Sequence, residues 1–484
     1  MLPAVLSPIE DYFFLDDNAD YPMVVWYRME IRGQLDHAAL ADAFHKTSAR
    51  HPMLTATVDD QSKRHPHWLA NPKSSLEIQY EQPLNESGFP EARPMDLRTE
   101  PGTRVFLNDF GERHQIALQV HHCCSDAIGI QHFLSDVLCE YAKRGEGCPL
   151  VNVIRKLDPR RFPKRSTPQV PRWRYTLGLH RTLGRCRDVV RILFSSPAQL
   201  CRSSVLPVDN RLTTREQQDT QSPAAEGFGI SVSEHEFDRE ETSRILQTAR
   251  DASVSVNSLI LSHLFQTVLN WRTEHGIHES NDKMRICVPV NLRTEKDRAL
   301  TATNSLSLLF VDRIASEVRN TKQLIKSVEA EIRNGRRDMW LTFIATLSVA
   351  RMLPGQVVER FTEKNQAWST CLFSNVGVAF SELSSHFEDG KIDLGGANVE
   401  SWSFLPPLRR YLGLSVGCST CAGRLKLACH FDPELVTREA MQSILKTWTN
   451  SVLEYVPEQK SESRPGAGSA DGADGADSIQ KMSA

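Results

Sequence analysis

One short run of the chain brings together residues that could do chemistry: His121-His122-Cys123-Cys124-Ser125-Asp126, followed by Ala127. Histidine is the side chain whose pKa lies nearest working pH, so it suits general-base catalysis. One reaction that such a base would fit is transfer of an acyl group from a thioester to a hydroxyl or amine. The attacking group must lose a proton, while the thiolate already leaves well, so one base is sufficient and neither a covalent enzyme intermediate nor a metal is required. Period-two alternation along a strand turns His121 and His122 to opposite faces. Only one of them can face a cleft. His122 is the expected base, with His121 in support and Asp126 bracing the turn through an ion pair rather than handling protons.

Other readings of the same residues have to be set beside this one. A histidine pair on a half-buried strand is more often packed and hydrogen-bonded than catalytic. A zinc site made of His-His-Cys-Cys fails because adjacent strand residues point apart. Cys418-Ser419-Thr420-Cys421, followed by Cys429-His430, has better spacing for zinc or redox work, yet it falls within an expected hairpin and reads as core thiols. No metal site is expected. Cys123 and Cys124 have no activating context beyond their histidine neighbours, so neither is expected to act as a protease-like nucleophile.

The elements that must position the run are legible by periodicity. Val24 to Ile31 reads as a strand, and Asp36 can cap a helix to Ser48 that keeps Leu40, Ala43 and Phe44 on one face. Arg104 to Phe110 and Gln115 to His122 form a hairpin about the polar turn Gly111-Glu112-Arg113, with Ile116, Leu118, Val120 and His122 on one face. After Asp126 the period becomes helical through Tyr141. The run therefore sits where a strand becomes a helix, held rigidly at one end and open to a cleft at the other. Later strands are expected at Ile230 to Phe237, Arg285 to Val290, Ser305 to Val311, Ser369 to Val376, and the pair Tyr411 to Ser419 and Gly423 to Phe431. Ser255 can cap a helix through Trp271.

With 484 residues the chain exceeds one ordinary core, and two mixed α/β lobes are expected: 1–165 with the histidine run, and 227–458. Between them, 166–226 is a basic connector in which Leu179, Leu183, Cys186, Val190 and Leu193 recur at helical spacing among arginines. It reads as a basic helix laid on the body of the protein, and it also suits peripheral contact with an anionic membrane. The Gly/Ser/Ala/Asp-rich stretch 459–484 reads as a disordered tail. The chain is 40% hydrophobic and 24% charged, with no apolar run long enough to span a bilayer. Its acidic start is unlike a signal peptide, and its 11 cysteines are irregularly spaced, so reduced thiols and a cytoplasmic location are expected. The net charge of −3, with no phosphate-binding loop, makes nucleic acid an unexpected partner.

The run His121 to Ala127 resembles the HHxxxDG signature of the condensation-domain and wax-ester-synthase branch of the chloramphenicol-acetyltransferase-like superfamily. Other segments resemble the family in the same order: Leu6-Ser7-Pro8, Gly33-Gln34-Leu35-Asp36, Arg50-His51-Pro52-Met53-Leu54, Ser255-Val256-Asn257-Ser258-Leu259, Val288-Pro289-Val290-Asn291-Leu292-Arg293, Thr303-Asn304-Ser305-Leu306 and Ser374-Asn375-Val376-Gly377. The resemblance spans Leu6 to about Tyr455. It implies two similar lobes meeting in a V, with an interface tunnel past the base that donor and acceptor enter from opposite mouths. It also implies His122 as base, Asp126 as structural acid, Asn304 as a polar partner near the reacting carbonyl, and Arg293 as the ion-pair partner of Asp126.

Two positions depart from the family pattern. Ala127 replaces the final glycine, at a cost on the order of 1 kcal/mol if a positive φ is needed there. Thr55 stands where condensation domains tend to have arginine, which weakens a carry-over of peptide-bond synthesis. No carrier-protein or adenylation segment accompanies the unit, so a free-standing enzyme is expected. The leading expectation is an acyltransferase using acyl-CoA and an alcohol, the acceptor being a small molecule or lipid and no cofactor being tightly bound. An amide-forming condensation enzyme fed with a phosphopantetheine-linked acyl group by an acyl carrier protein, and a non-catalytic relative that binds an acyl or carrier partner, stay open beside it.

Overall fold

The computed structural model describes residues 2–165, 208 and 230–457, apart from 62–64, 72–74, 92, 145–147, 149, 151–153, 278–281, 336–339, 353–367 and 389. Apart from Val208, the connector expected at 166–226, with its basic helix around Leu179 to Leu193, lies outside the described residues, as does the tail expected at 459–484.

The chain opens with strand β1 (Ala4–Val5) and helix α1 (Pro8–Leu15). A capping box starts α1: the Ser7 hydroxyl accepts from the Glu10 N–H, and the Glu10 carboxylate accepts from the Ser7 N–H. Next come β2 (Val24–Gly33) and α2 (His37–Ser48), with Asp36 accepting the Ala39 N–H as cap. Short strands β3 (Thr57–Asp59), β4 (His67–Leu69) and β5 (Ile78–Tyr80) precede the hairpin of β6 (Thr103–Asp109) and β7 (Arg113–His121). Its turn places Gly111 at a φ of 85°, which glycine adopts without steric cost. Helix α3 (Ala127–Ala142) follows at once.

The second lobe supplies β8 (Val232–Glu236), α4 (Arg239–Asp251), α5 (Val256–Glu274), β9 (Lys283–Asn291), β10 (Leu306–Ile314), α6 (Thr321–Asn334), α7 (Trp340–Met352) and β11 (Cys371–Val378). After β12 (Phe387–Glu388), β13 (Lys391–Asp393) and β14 (Ala397–Leu405), it ends with β15 (Leu414–Cys421), β16 (Arg424–Phe431) and α8 (Arg438–Tyr455). Two mixed sheets result, ordered β12-β13-β14-β2-β7-β6-β5 and β10-β9-β11-β15-β16-β8, beside a small sheet β1-β4-β3. Among the described residues no single helix is long and apolar enough to cross a membrane.

Alternation along β2 builds two apolar layers. Val25, Tyr27, Met29 and Ile31 join Leu118 and Val120 of β7 in the main core of the first lobe, while Val24 and Trp26 pack with Phe89 and Phe106 on the other face. A separate core fills the second lobe, where Trp448 is wholly buried.

The linear division at 1–165 and 227–458 does not hold for the sheets. Residues of 387–405 leave the second lobe, and β14 pairs antiparallel with β2, from Ala397 opposite Gly33 to Leu405 opposite Trp26. This strand covers an edge of β2 that would otherwise expose unpaired backbone. It is also the joint between sheets: Ser419 Oγ donates to Trp402 O at 3.1 Å, and His430 Nδ1 donates to Pro406 O at 2.9 Å.

At the same joint a Cβ on Gly417 would lie 2.0 Å from Phe404 O, a backbone atom that cannot swing aside. The substitution Gly417→Ala is expected to lower the unfolding free energy by about 1–3 kcal/mol through overpacking, read as a lower urea midpoint at unchanged slope. An unchanged midpoint would mean the two strands separate without cost.

Candidate active site

The reactive run leaves β7 under firm backbone control. The His122 N–H donates to Met23 O at 2.7 Å, and the chain then turns, with the Cys124 N–H donating to His121 O at 2.9 Å. His121 points into the protein. Its Nδ1 accepts the Cys123 N–H at 3.1 Å, so the proton sits on Nε2, which lies 3.5 Å from Asp17 Oδ2. This histidine is buried behind the site and does not line the inter-lobe cavity.

His122 takes the opposite side and lines a cavity of about 360 Å³ between the lobes. Its ring stacks on Phe13 of α1, with centroids 4.1 Å apart. Nδ1 lies 3.1 Å from Ser125 O. A carbonyl can only accept, so Nδ1 carries the hydrogen and Nε2 keeps its lone pair. Burial pushes the pKa of His122 down to about 4, against the opposing pull of Asp126 and the Ser125 carbonyl. The imidazole is therefore neutral and able to accept a proton throughout the physiological range.

Asp126 does a different job. It caps α3, its Oδ1 accepting the Gly129 N–H at 2.8 Å, while Oδ2 accepts both the Ser305 N–H and Arg293 Nη1 at 2.8 Å each. Both charged side chains are 5% exposed, and Arg293 also donates to Thr303 O at 2.6 Å. All three described bonds of Asp126 are to groups that fix the chain, two of them across the interface. A Cβ on Gly129 would meet Ser125 Oγ at 2.3 Å and Thr303 O at 2.8 Å, so α3 approaches the second lobe as closely as it does only because that residue is glycine. Ala127 is the first residue of α3 and lines the cavity. Its conformation is helical, so the conditional cost of a positive φ does not arise.

Asn304 sits behind the loop that carries the base. It is wholly buried, and its amide nitrogen donates to His122 O at 2.7 Å and Cys123 O at 2.8 Å. With those donors turned to the loop behind the base, it supports the loop and does not line the cavity. His51 completes the grip on this segment: its Nδ1 accepts the Ala302 N–H at 2.8 Å, and its Nε2 faces Asp136 Oδ2 at 3.1 Å. Burial lowers the His51 pKa to about 4.

Several residues at the site have no signature in sequence spacing. Phe13 and Tyr12 arrive on α1, and Arg409 enters from beyond β14, donating to Tyr12 Oη and Asp16 Oδ1 at 2.5 Å each. The α1 capping box is visible in Ser7-Pro8-Ile9-Glu10, but which face the helix turns to His122 is not. The Cys418, Cys421 and Cys429 thiols lie in the β15–β16 hairpin, and the described cysteines are free.

No protein-family model matches the chain, and no curated protein matches it in sequence. Solved structures do match. The first condensation domain of the CDA synthetase is 14% identical, with 94% of this chain and 96% of that one covered at a TM-score of 0.64. The TRI3 trichothecene 15-O-acetyltransferase from Fusarium sporotrichioides is 12% identical, covering 94% and 95% at a TM-score of 0.62. Polyketide synthase associated protein 5 from Mycobacterium tuberculosis is 15% identical, covering 93% and 98% at 0.54. In its two mixed-sheet lobes and the cleft between them, the chain has the fold of these condensation-domain and acetyltransferase structures.

Proposed function

We propose that the protein is an acyltransferase in which His122 Nε2 is the general base, moving an acyl group from acyl-CoA or a carrier-bound thioester to a hydroxyl or amine. The observation that carries this reading is a buried imidazole whose Nδ1–H is fixed on Ser125 O, leaving Nε2 free to accept, on a residue that lines the inter-lobe cavity. The acceptor gives its proton to Nε2 as its oxygen or nitrogen attacks the thioester carbonyl. The C–S bond then breaks, and the thiolate takes the proton back from the imidazolium. Arg293, Asp126 and Asn304 are positioning residues that hold the loop carrying the base.

An acyl-CoA donor with an alcohol acceptor, giving an ester, remains the leading form. An amide product fed by an acyl carrier protein is the second. The partners are a thioester donor and a small-molecule or lipid acceptor, with no tightly bound cofactor required by the chemistry. Free thiols among the described cysteines support a reducing, cytoplasmic setting. A His122 that lines a cavity favours catalysis over mere binding by a non-catalytic relative.

The test is to supply acyl-CoA and acylated carrier protein with alcohols and amines, following thiol release and product mass. In the His122→Ala variant, product formation is expected to fall by roughly 10²–10⁴-fold with the thermal midpoint little changed. Wild-type rates in that variant would overturn the assignment.

Asp126→Ala is expected to act mainly on stability. It strands the Arg293 guanidinium in a buried site, at a cost of about 3–5 kcal/mol. Its thermal midpoint should drop far more than that of His122→Ala.

The pH profile follows from the burial of His122. The neutral form is the active one, and its pKa is held at about 4 instead of the ordinary 6.5. The acid limb of kcat/KM is therefore expected well below 6.5, near 4, with a level region above it. By the same shift, the unfolded chain binds a proton below 6.5 that the folded chain refuses until about 4, so stability falls with pH across that window. An acid limb at 6.5 would show the base to be solvated or another group.

A further inference from the structure

At the end of β7 remote from His122, three side chains converge that the proposed reaction does not use. His37 opens α2, Asp109 ends β6 and His114 lies near the start of β7. One ligand atom from each lies within 4.8 Å of the others. His114 Nδ1 is 3.2 Å from Asp109 Oδ1, and His37 Nε2 is 3.4 Å from Asp109 Oδ2. The two rings stand at 88° with centroids 5.5 Å apart.

We infer that His37, Asp109 and His114 bind a divalent transition-metal ion of the zinc class. The tautomer of His114 is what points to a cation. The side chain is 4% exposed and its Nε2 lies 3.0 Å from Gly33 O, a carbonyl that can only accept, so that nitrogen holds the hydrogen. In the neutral ring the lone pair on Nδ1 then faces a carboxylate oxygen, which also has only lone pairs to offer. Two acceptors so placed repel unless a cation lies between them. His114 Nδ1 and His37 Nε2 are both buried nitrogen atoms without a hydrogen-bond partner.

The surroundings fit a metal. Two imidazoles and one carboxylate are a zinc donor set. The bond from His114 to Gly33 O is the outer hydrogen bond that orients a ligating imidazole, and Asp109 Oδ1 is itself fixed by the Gly111 N–H at 2.8 Å. His37 and Asp109 are 33% and 34% exposed, leaving a path for the ion and room for a water as fourth ligand. Bound there, the ion ties the start of α2 to the β6–β7 hairpin. From His114 to His122 the strand spans roughly 27 Å, so the ion braces the lobe and takes no part in acyl transfer.

The experiment uses the full chain stripped with a chelator and titrated with Zn²⁺, by calorimetry and thermal unfolding. The wild type is expected to bind one equivalent more than His37→Ala or Asp109→Asn, and to gain roughly 2–3 °C in midpoint at a hundredfold excess over Kd, a gain the variants lack. Because His37 is partly exposed, its alanine variant keeps the fold even if a change at buried His114 does not. Equal stoichiometry and equal shifts in wild type and both variants would overturn the site and assign the binding to thiols. No zinc-dependent shift at all, with the wild type stabilised only by acid, would overturn it in favour of a protonated histidine pair on Asp109.

Discussion

The structure hangs on four consecutive residues of the second lobe, Ala302 to Ser305, three of which the first lobe grips directly. Ala302 N–H is held by His51, Asn304 reaches back to the carbonyls of His122 and Cys123, and Ser305 N–H is held by Asp126. Thr303 O receives Arg293, the residue that also pairs with Asp126. A segment that enters another lobe must satisfy its polar backbone there, because water is excluded. That demand is met here by the same loop that carries the base. The relative placement of the lobes and the placement of His122 are therefore a single constraint.

The base gains its neutral form at the expense of basicity. Phe13 on one ring face removes water, and burial lowers the affinity of Nε2 for a proton. Helix α1 can hold Phe13 there because its three buried carboxylates each meet an arginine from a distant part of the chain: Glu10 with Arg165, Asp11 with Arg351 and Asp16 with Arg409. Such pairs are costly to desolvate, and breaking one leaves a bare buried charge. They specify where the helix lies more than they add to stability. The neutral, weak base that results suits a reaction whose leaving thiolate asks little of it.

What sequence reasoning reaches and where it stops both have physical causes. β2, β6, β7, α2 and α3 are legible because each turns its most apolar face to the main core of the first lobe, so hydrophobicity follows their period. β14 escapes notice because its partner β2 lies some 370 residues away in the chain, and nothing local encodes that pairing. His122 and Asp126 are legible as types at a spacing that a strand end and a helix cap demand. Arg293 and Asn304 are reached through resemblance alone, and of these Asn304 turns its nitrogen to the loop rather than to the cavity. Phe13, Tyr12 and Arg409 are neighbours only through space. The His37, Asp109 and His114 cluster is hidden for the same reason, since α2 and the β6–β7 hairpin meet only once the sheet has formed.

The identity of the base itself depends on register. A slip of one residue in β7 would exchange the two histidines, placing His121 in the cavity and His122 against Asp17. The β6–β7 turn already opposes such a slip, because its length fixes the register of the hairpin. Side chains forbid it. Ile116, Leu118 and Val120 would leave the main core for the smaller cluster, and Ala117 and Gln119 would replace them there. At the far end, His114 would lose Gly33 O, and at the near end the Ser125 carbonyl would lose the ring it orients. The strand is pinned at both ends by a histidine hydrogen-bonded to a carbonyl, so a single register sets the direction in which Nε2 of His122 points.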